Sequence, residues 1–168
     1  MSMRDKESAL LVTIKTGSWD EKVNAADRIA QKDPAIVVQP LIELLSSDDC
    51  HVRNASALAL RELKDQNAAV ALMNAIAKSK TGESPSTLIY ALQCHDCKDF
   101  FREVFGFALS KSWSWEAREM ANHILDEQRF SISDEDLEWA ERELDSAKDD
   151  HLDGKYLTGY LQELRDEE

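Results

Sequence analysis

Apolar residues recur at three- and four-residue spacing along nearly all of this 168-residue chain, the period of helices that bury one face. Residues 3–15 carry Ala9, Leu10, Val12 and Ile14 behind a charged first turn, and Gly17 ends that helix. Ser18 then caps a second helix, 18–32, with Trp19, Val23, Ala26, Ile29 and Ala30 on its apolar side. Asp33 and Pro34 supply a cap and a first helical residue for the next. This helix, 35–45, bears Ile36, Val37, Leu41, Leu44 and Leu45, and its internal Pro40 predicts a kink. After the polar turn 46–49, the positions Val52, Ala55, Ala57, Ala59, Leu60 and Leu63 mark a helix to about residue 64. Its alanine-rich face allows a neighbouring helix to come close.

The same period predicts helices over 67–78, 86–93, 98–110, 114–128, 133–148 and 155–165, with a polar loop carrying Gly82 and Pro85 at 78–86. The 98–110 helix is the most aromatic, with Phe100, Phe101, Val104, Phe105 and Leu109. Its partner carries Trp115, Ala117, Ala121, Ile124 and Leu125 at helical spacing. Ser133, followed three residues later by Asp136, approximates a capping box, and the acidic first turn there suits the positive end of the helix dipole. Leu137, Ala140, Leu144 and Ala147 form a stripe that matches Tyr156 and Tyr160 on the last helix.

One hairpin, 36–63, has a recognisable grammar: Val52-Arg53 opens its second helix, followed by Ser56-Ala57 and Ala59-Leu60. Aligning Arg53 and Leu60 along the chain gives Lys22 and Ile29 before them, Leu92 next, and Arg118 and Leu125 after that. The successive steps are 31, 32 and 33 residues. Ala25-Ala26, Ser56-Ala57, Leu88-Ile89 and Ala121-Asn122 fill the paired small positions with decreasing fidelity. A fixed period of this length marks units that bury their apolar faces only against neighbouring copies.

The pattern resembles the HEAT repeat. The resemblance implies an all-α fold: a short α-solenoid of about five antiparallel helix pairs in a single domain over 1–168, with clear repeats over 18–128 and divergent ends at 1–17 and 129–168. It also implies a structural polar ladder, in which Asp48 or Asp49 with Arg53, and Arg118, hold neighbouring repeats in register. Pro85 falls at the corresponding place in the third unit and interrupts that ladder.

Composition fits this architecture. Five glycines and three prolines are few for the length, and a chain of this size buries roughly 70% of its extended surface without staples. The net charge of −13 is uneven: residues 126–168 hold 16 Asp and Glu against five Lys and Arg, a net of −11, which leaves about −2 for the first 125. Such a surface repels nucleic-acid phosphates and attracts basic proteins, unless it is only a solvated helical face. The N-terminal stretch has neither a cleavage signal nor stop-transfer length, and three cysteines suit a reducing compartment, so a cytoplasmic protein with free thiols and no membrane association is expected.

Candidate chemistry is sparse. Cys94-His95-Asp96-Cys97 has the spacing of a redox or zinc half-site, but Cys50, His51, His123 and His151, which would complete four ligands, lie in other units. A redox role of the thioredoxin type would need a βαβ context. With no glycine-rich phosphate loop or nucleophile elbow, no catalytic residue, metal or cofactor is expected. Recognition residues are better represented. Trp113 and Trp115 flank a helix start and cannot share one face, so one is an interface anchor or both pack under the aromatic helix. Asp134, Glu135, Asp136, Glu138, Glu141 and Asp145 supply the acidic surface, with Tyr156 and Tyr160 beside it.

In size, architecture and acidity the chain is similar to the HEAT-repeat immunity proteins encoded beside bacterial contact-dependent growth-inhibition toxins. That similarity implies a non-enzymatic partner for a cognate protein toxin, a basic nuclease domain, blocked by a tight complex without direct nucleic-acid contact. The alternative is a HEAT-repeat scaffold or adaptor for a protein complex. A glycosylase-like enzyme, which the fold permits, is opposed by the acid excess.

Overall fold

A computed structural model describes residues 3–79, 84–147 and 154–166, and these contain ten α-helices and no strand. The helices are α1 (Met3–Thr16), α2 (Trp19–Ile29), α3 (Pro34–Leu44), α4 (Cys50–Leu63), α5 (Gln66–Ala77), α6 (Ser86–Leu92), α7 (Phe101–Ala108), α8 (Trp115–Glu127), α9 (Asp134–Ala147) and α10 (Gly154–Asp166). Part of the loop expected at 78–86, together with His151, lies outside the described residues.

Local chemistry sets most of the helix starts. Ser18 and Glu21 cap α2 reciprocally, and Asp33, Asp49 and Asp65 each accept from the backbone N–H two residues on to start α3, α4 and α5. Gly17 makes the α1–α2 turn possible, because a Cβ there would meet the Thr13 carbonyl at 2.9 Å and the Glu21 Cβ at 3.0 Å. Lys64 closes α4 in the left-handed conformation, at φ 51°. α3 runs through Pro40 as one helix. The aromatic helix expected over 98–110 is shorter, because 97–100 closes as a turn with the Phe100 N–H on the Cys97 carbonyl at 2.9 Å. Phe100 then starts α7 without a side-chain cap.

Packing divides the chain into two compact units, Met1–Asp96 and Cys97–Glu168. In the first, α1, α3 and α5 pack in succession, α2, α4 and α6 do the same, and each helix of one row packs on its hairpin partner in the other. This is the two-layer arrangement of stacked helix pairs. Ile14, Ile29, Leu41, Leu60, Leu72, Ile76, Leu88, Ile89 and Leu92 lie fully buried within it. Truncating any of these leucines or isoleucines to alanine costs on the order of 2–5 kcal/mol. The small residues Ala25, Ala26, Ala55, Ala57 and Ala59 are also buried and let the second helices approach closely.

In the second unit α7 packs on α8 and α9, and α10 packs on α9. Its core is aromatic on one side, where Phe105 meets the Trp139 ring edge-on at 6.2 Å and Phe101 meets Phe130 at 5.8 Å. Leu137, Ala140, Leu144 and Ala147 turn inward from α9, as their spacing predicts. On α10 the buried positions are Leu157 and Leu161, so the two tyrosines flank the core rather than form it.

Candidate functional site

Lys22, Arg53 and Arg118, aligned by the repeat period, share one structural role. The buried Lys22 Nζ donates to the carbonyls of Ile14 and Lys15, each at 3.0 Å. Arg53 Nη1 donates to the carbonyls of Ser47 at 2.7 Å and Asp48 at 3.1 Å. Arg118 Nη1 donates to that of Trp113 at 3.3 Å. In these three hairpins a cation from the second helix thus satisfies carbonyls at or beyond the end of the first, where helical donors run out. Asp49 Oδ2 stands 3.8 Å from Lys22 Nζ and links the first two repeats.

Asp49, Cys50 and His51 bring three potential metal-ligating atoms within 4.8 Å of one another, all exposed. Two of these side chains already have structural contacts. Asp49 Oδ1 caps the His51 N–H at 2.8 Å while its other oxygen faces Lys22, and the His51 ring packs on Trp19 at 5.3 Å. Of the Cys-His-Asp-Cys half-site, Cys94 is half-buried, His95 and Cys97 are buried, and burial holds the imidazole below its ordinary pKa.

The two tryptophans separate. Trp113 is half-buried against the Phe107 ring at 5.3 Å, whereas Trp115 is 61% exposed at the first turn of α8. The acidic residues of α9 separate as well. Asp136 is structural: Oδ2 accepts from the Ser133 N–H at 2.9 Å and its hydroxyl at 2.6 Å, while Oδ1 accepts from Arg102 Nε. These donors, the Ser133 hydroxyl first, lower its carboxyl from 3.8 to about 2. Arg102 also lies over the Trp139 ring, 5.5 Å from its centroid. Glu141 accepts two hydrogen bonds from Arg165 at 3.1 and 3.2 Å and so ties α10 to α9. Glu138 stands 3.9 Å from Arg142 in a pair exposed on both sides. Asp134, Glu135 and Asp145 are exposed.

The Tyr156 hydroxyl donates to Asp126 Oδ1 at 2.6 Å and to the Asn122 carbonyl at 3.4 Å. Burial, reinforced by the Asp126 carboxylate, raises its pKa. Tyr160, one turn on, lines a cleft of about 620 Å³. Leu125, Phe130, Ile132 and Leu164 supply its other apolar walls, and Asp126, Arg129 and Glu163 its charges. Apart from the tyrosine, sequence reasoning missed these residues as a group. They come from 125–132 and 160–164, with no shared period to connect them.

A family model described as HEAT repeats matches residues 7–93. No curated protein and no solved structure matches the chain. Repeats of this kind stack into extended surfaces on which other proteins dock. No described helix is long and apolar enough to cross a membrane. The stacked hairpins of the first unit, their recurrent capping cations and the family match together place the chain in the HEAT-repeat family.

Proposed function

We propose that the chain is a cytoplasmic protein-binding module that neutralises a cognate toxin, a basic nuclease domain, by covering it with the acidic surface of residues 97–168. The observation that carries this reading is the composition of α9, which has seven carboxylates against one arginine. Asp134, Glu135, Glu138 and Asp145 are exposed along it. Domains that cleave nucleic acid carry positive surfaces to hold phosphate. An acidic partner is therefore steered to them quickly and competes for the same cations as the substrate. The exposed Trp115 supplies a rigid apolar anchor in the same unit.

The test is titration of the purified chain into a basic nuclease domain encoded beside its gene, following both binding and cleavage. A tight complex that weakens as salt rises and silences cleavage at equimolar ratio is expected. Absence of binding sinks the proposal. A tight complex that leaves cleavage intact replaces it with a scaffolding role.

A further inference from the structure

We infer that the cleft between the end of α8, residues 128–132 and α10 receives one large apolar side chain from a cationic protein segment; this specifies the partner contact of the reading above and rests on it. The cleft has the composition of an anchor pocket. Phe130, Ile132, Tyr160 and Leu164 are only half-covered by the protein's own packing, although each is large and largely apolar. A volume of about 620 Å³ lies within the ordinary range for pockets that enclose a ligand. Apolar walls within a charged rim are the setting in which a single inserted aromatic dominates an interface.

The charge around the cleft selects the kind of segment that brings this side chain. Residues 126–168 have a net charge of −11, and Asp126 and Glu163 stand at the cleft itself against Arg129. Lysines or arginines on either side of the anchor lay their aliphatic stems over the apolar walls and keep their charged ends near these carboxylates. The neighbouring groove between α9 and α10 lacks this character. Its apolar residues, Leu144 and Leu161, are already buried in the core, and the Glu141–Arg165 pair spans it.

The test uses the full chain and two fluorescein-labelled peptides followed by anisotropy: Lys-Lys-Ala-Trp-Ala-Lys-Lys, and the same peptide with alanine in place of tryptophan. The tryptophan peptide is expected to bind about tenfold more tightly, the effect of one buried anchor. The exposed substitution Glu163→Lys weakens both peptides, Arg129→Glu strengthens both, and Leu164→Ser removes the tryptophan advantage. Backbone amide shifts in the unmodified chain locate the bound peptide even if Leu164→Ser does not fold. Equal affinity for the two peptides, or shifts confined to α9, overturns the cleft assignment and leaves the acidic-surface reading standing. Failure of both peptides to bind at low salt overturns both.

Discussion

The Ser56 hydroxyl donates to the carbonyl of Leu41, across the hairpin and fully buried. That carbonyl needs a donor because α3 ends just beyond it. The Leu45 N–H, which would have served it in a continuing helix, turns instead to Ile42 at 3.1 Å. Ser56 stands where the repeat pattern favours alanine, so Ser56→Ala restores the pattern and removes the bond. We expect it to destabilise the protein by about 1–3 kcal/mol, the cost of an unsatisfied buried group. The midpoint of urea denaturation measures this, and an unchanged midpoint would refute the role given to the hydroxyl.

Lys22 and Asp49 form an ion pair whose members contribute unequally. Lys22→Met keeps the buried stem but strips the donor from two carbonyls, and should cost about 1–3 kcal/mol. Asp49→Asn retains the cap and loses only a pairing on a half-exposed carboxylate, and should change stability by less than about 1 kcal/mol. Thermal melts of the two variants separate these effects. Equal losses would mean that the ion pair, not carbonyl capping, is what Lys22 provides.

Asp136 makes acid stability site-specific. Its folded pKa lies below the ordinary carboxyl value, so its contribution is fully present above pH 3.8 and is lost as pH falls through about 2. Asp136→Asn abolishes this contribution. The wild-type advantage over the variant should therefore shrink on acidification across that window and stay constant from pH 5 to 8. A difference that does not vary with pH would point to geometry instead of charge.

Tyr156 works in the opposite direction. Its pKa is raised above 10.0, so its stabilising effect is present below that pH and is lost as pH rises beyond it. Tyr156→Phe should cost about 1 kcal/mol at neutral pH, a hydrogen bond to a charged acceptor at the protein surface. The ultraviolet titration of the wild type should show one phenol that ionises later than the others, and this late step should vanish in the variant.

The division of the α9 carboxylates predicts which charge reversals perturb binding alone. Asp134→Lys with Glu135→Lys should slow association with a basic partner and leave folding intact, because both side chains are exposed in the first turn. Their positive charge at a helix start costs on the order of 1 kcal/mol for the pair. Glu141→Lys, by contrast, should loosen α10 through loss of the Arg165 bonds. Stopped-flow association rates and amide exchange along α10 distinguish the two classes.

Much of the architecture was legible because it is written locally. Caps such as Ser18, Asp33 and Ser133 act within three residues, and apolar stripes repeat within each helix. The register of Lys22, Arg53 and Arg118 was legible too, but the carbonyls they meet were not, since a ladder of side chains was the expected pairing. The shortening of α7 escaped notice because Phe100 and Phe101 continue an apolar run through a turn made by the backbone. The anchor cleft and the Arg102–Asp136 and Glu141–Arg165 pairs were illegible for a different reason. Their members lie 24 or more residues apart, or come from separate segments, and no local spacing predicts which acid meets which base.

The carbonyls capped by Lys22, Arg53 and Arg118 belong to each cation's own hairpin, a property that bears on how such a chain can grow. A duplicate of residues 33–64, inserted directly after Lys64, would arrive with its own Asp33 cap and its own Arg53 and Ser56 equivalents, and with an Asp49 equivalent able to face the preceding Arg53. Its internal polar needs would already be met, and its open sides would match the neighbours the original hairpin has now. Length is therefore an adjustable variable in this architecture, one that lets a binding surface be extended by a whole increment without rewriting the helices on either side.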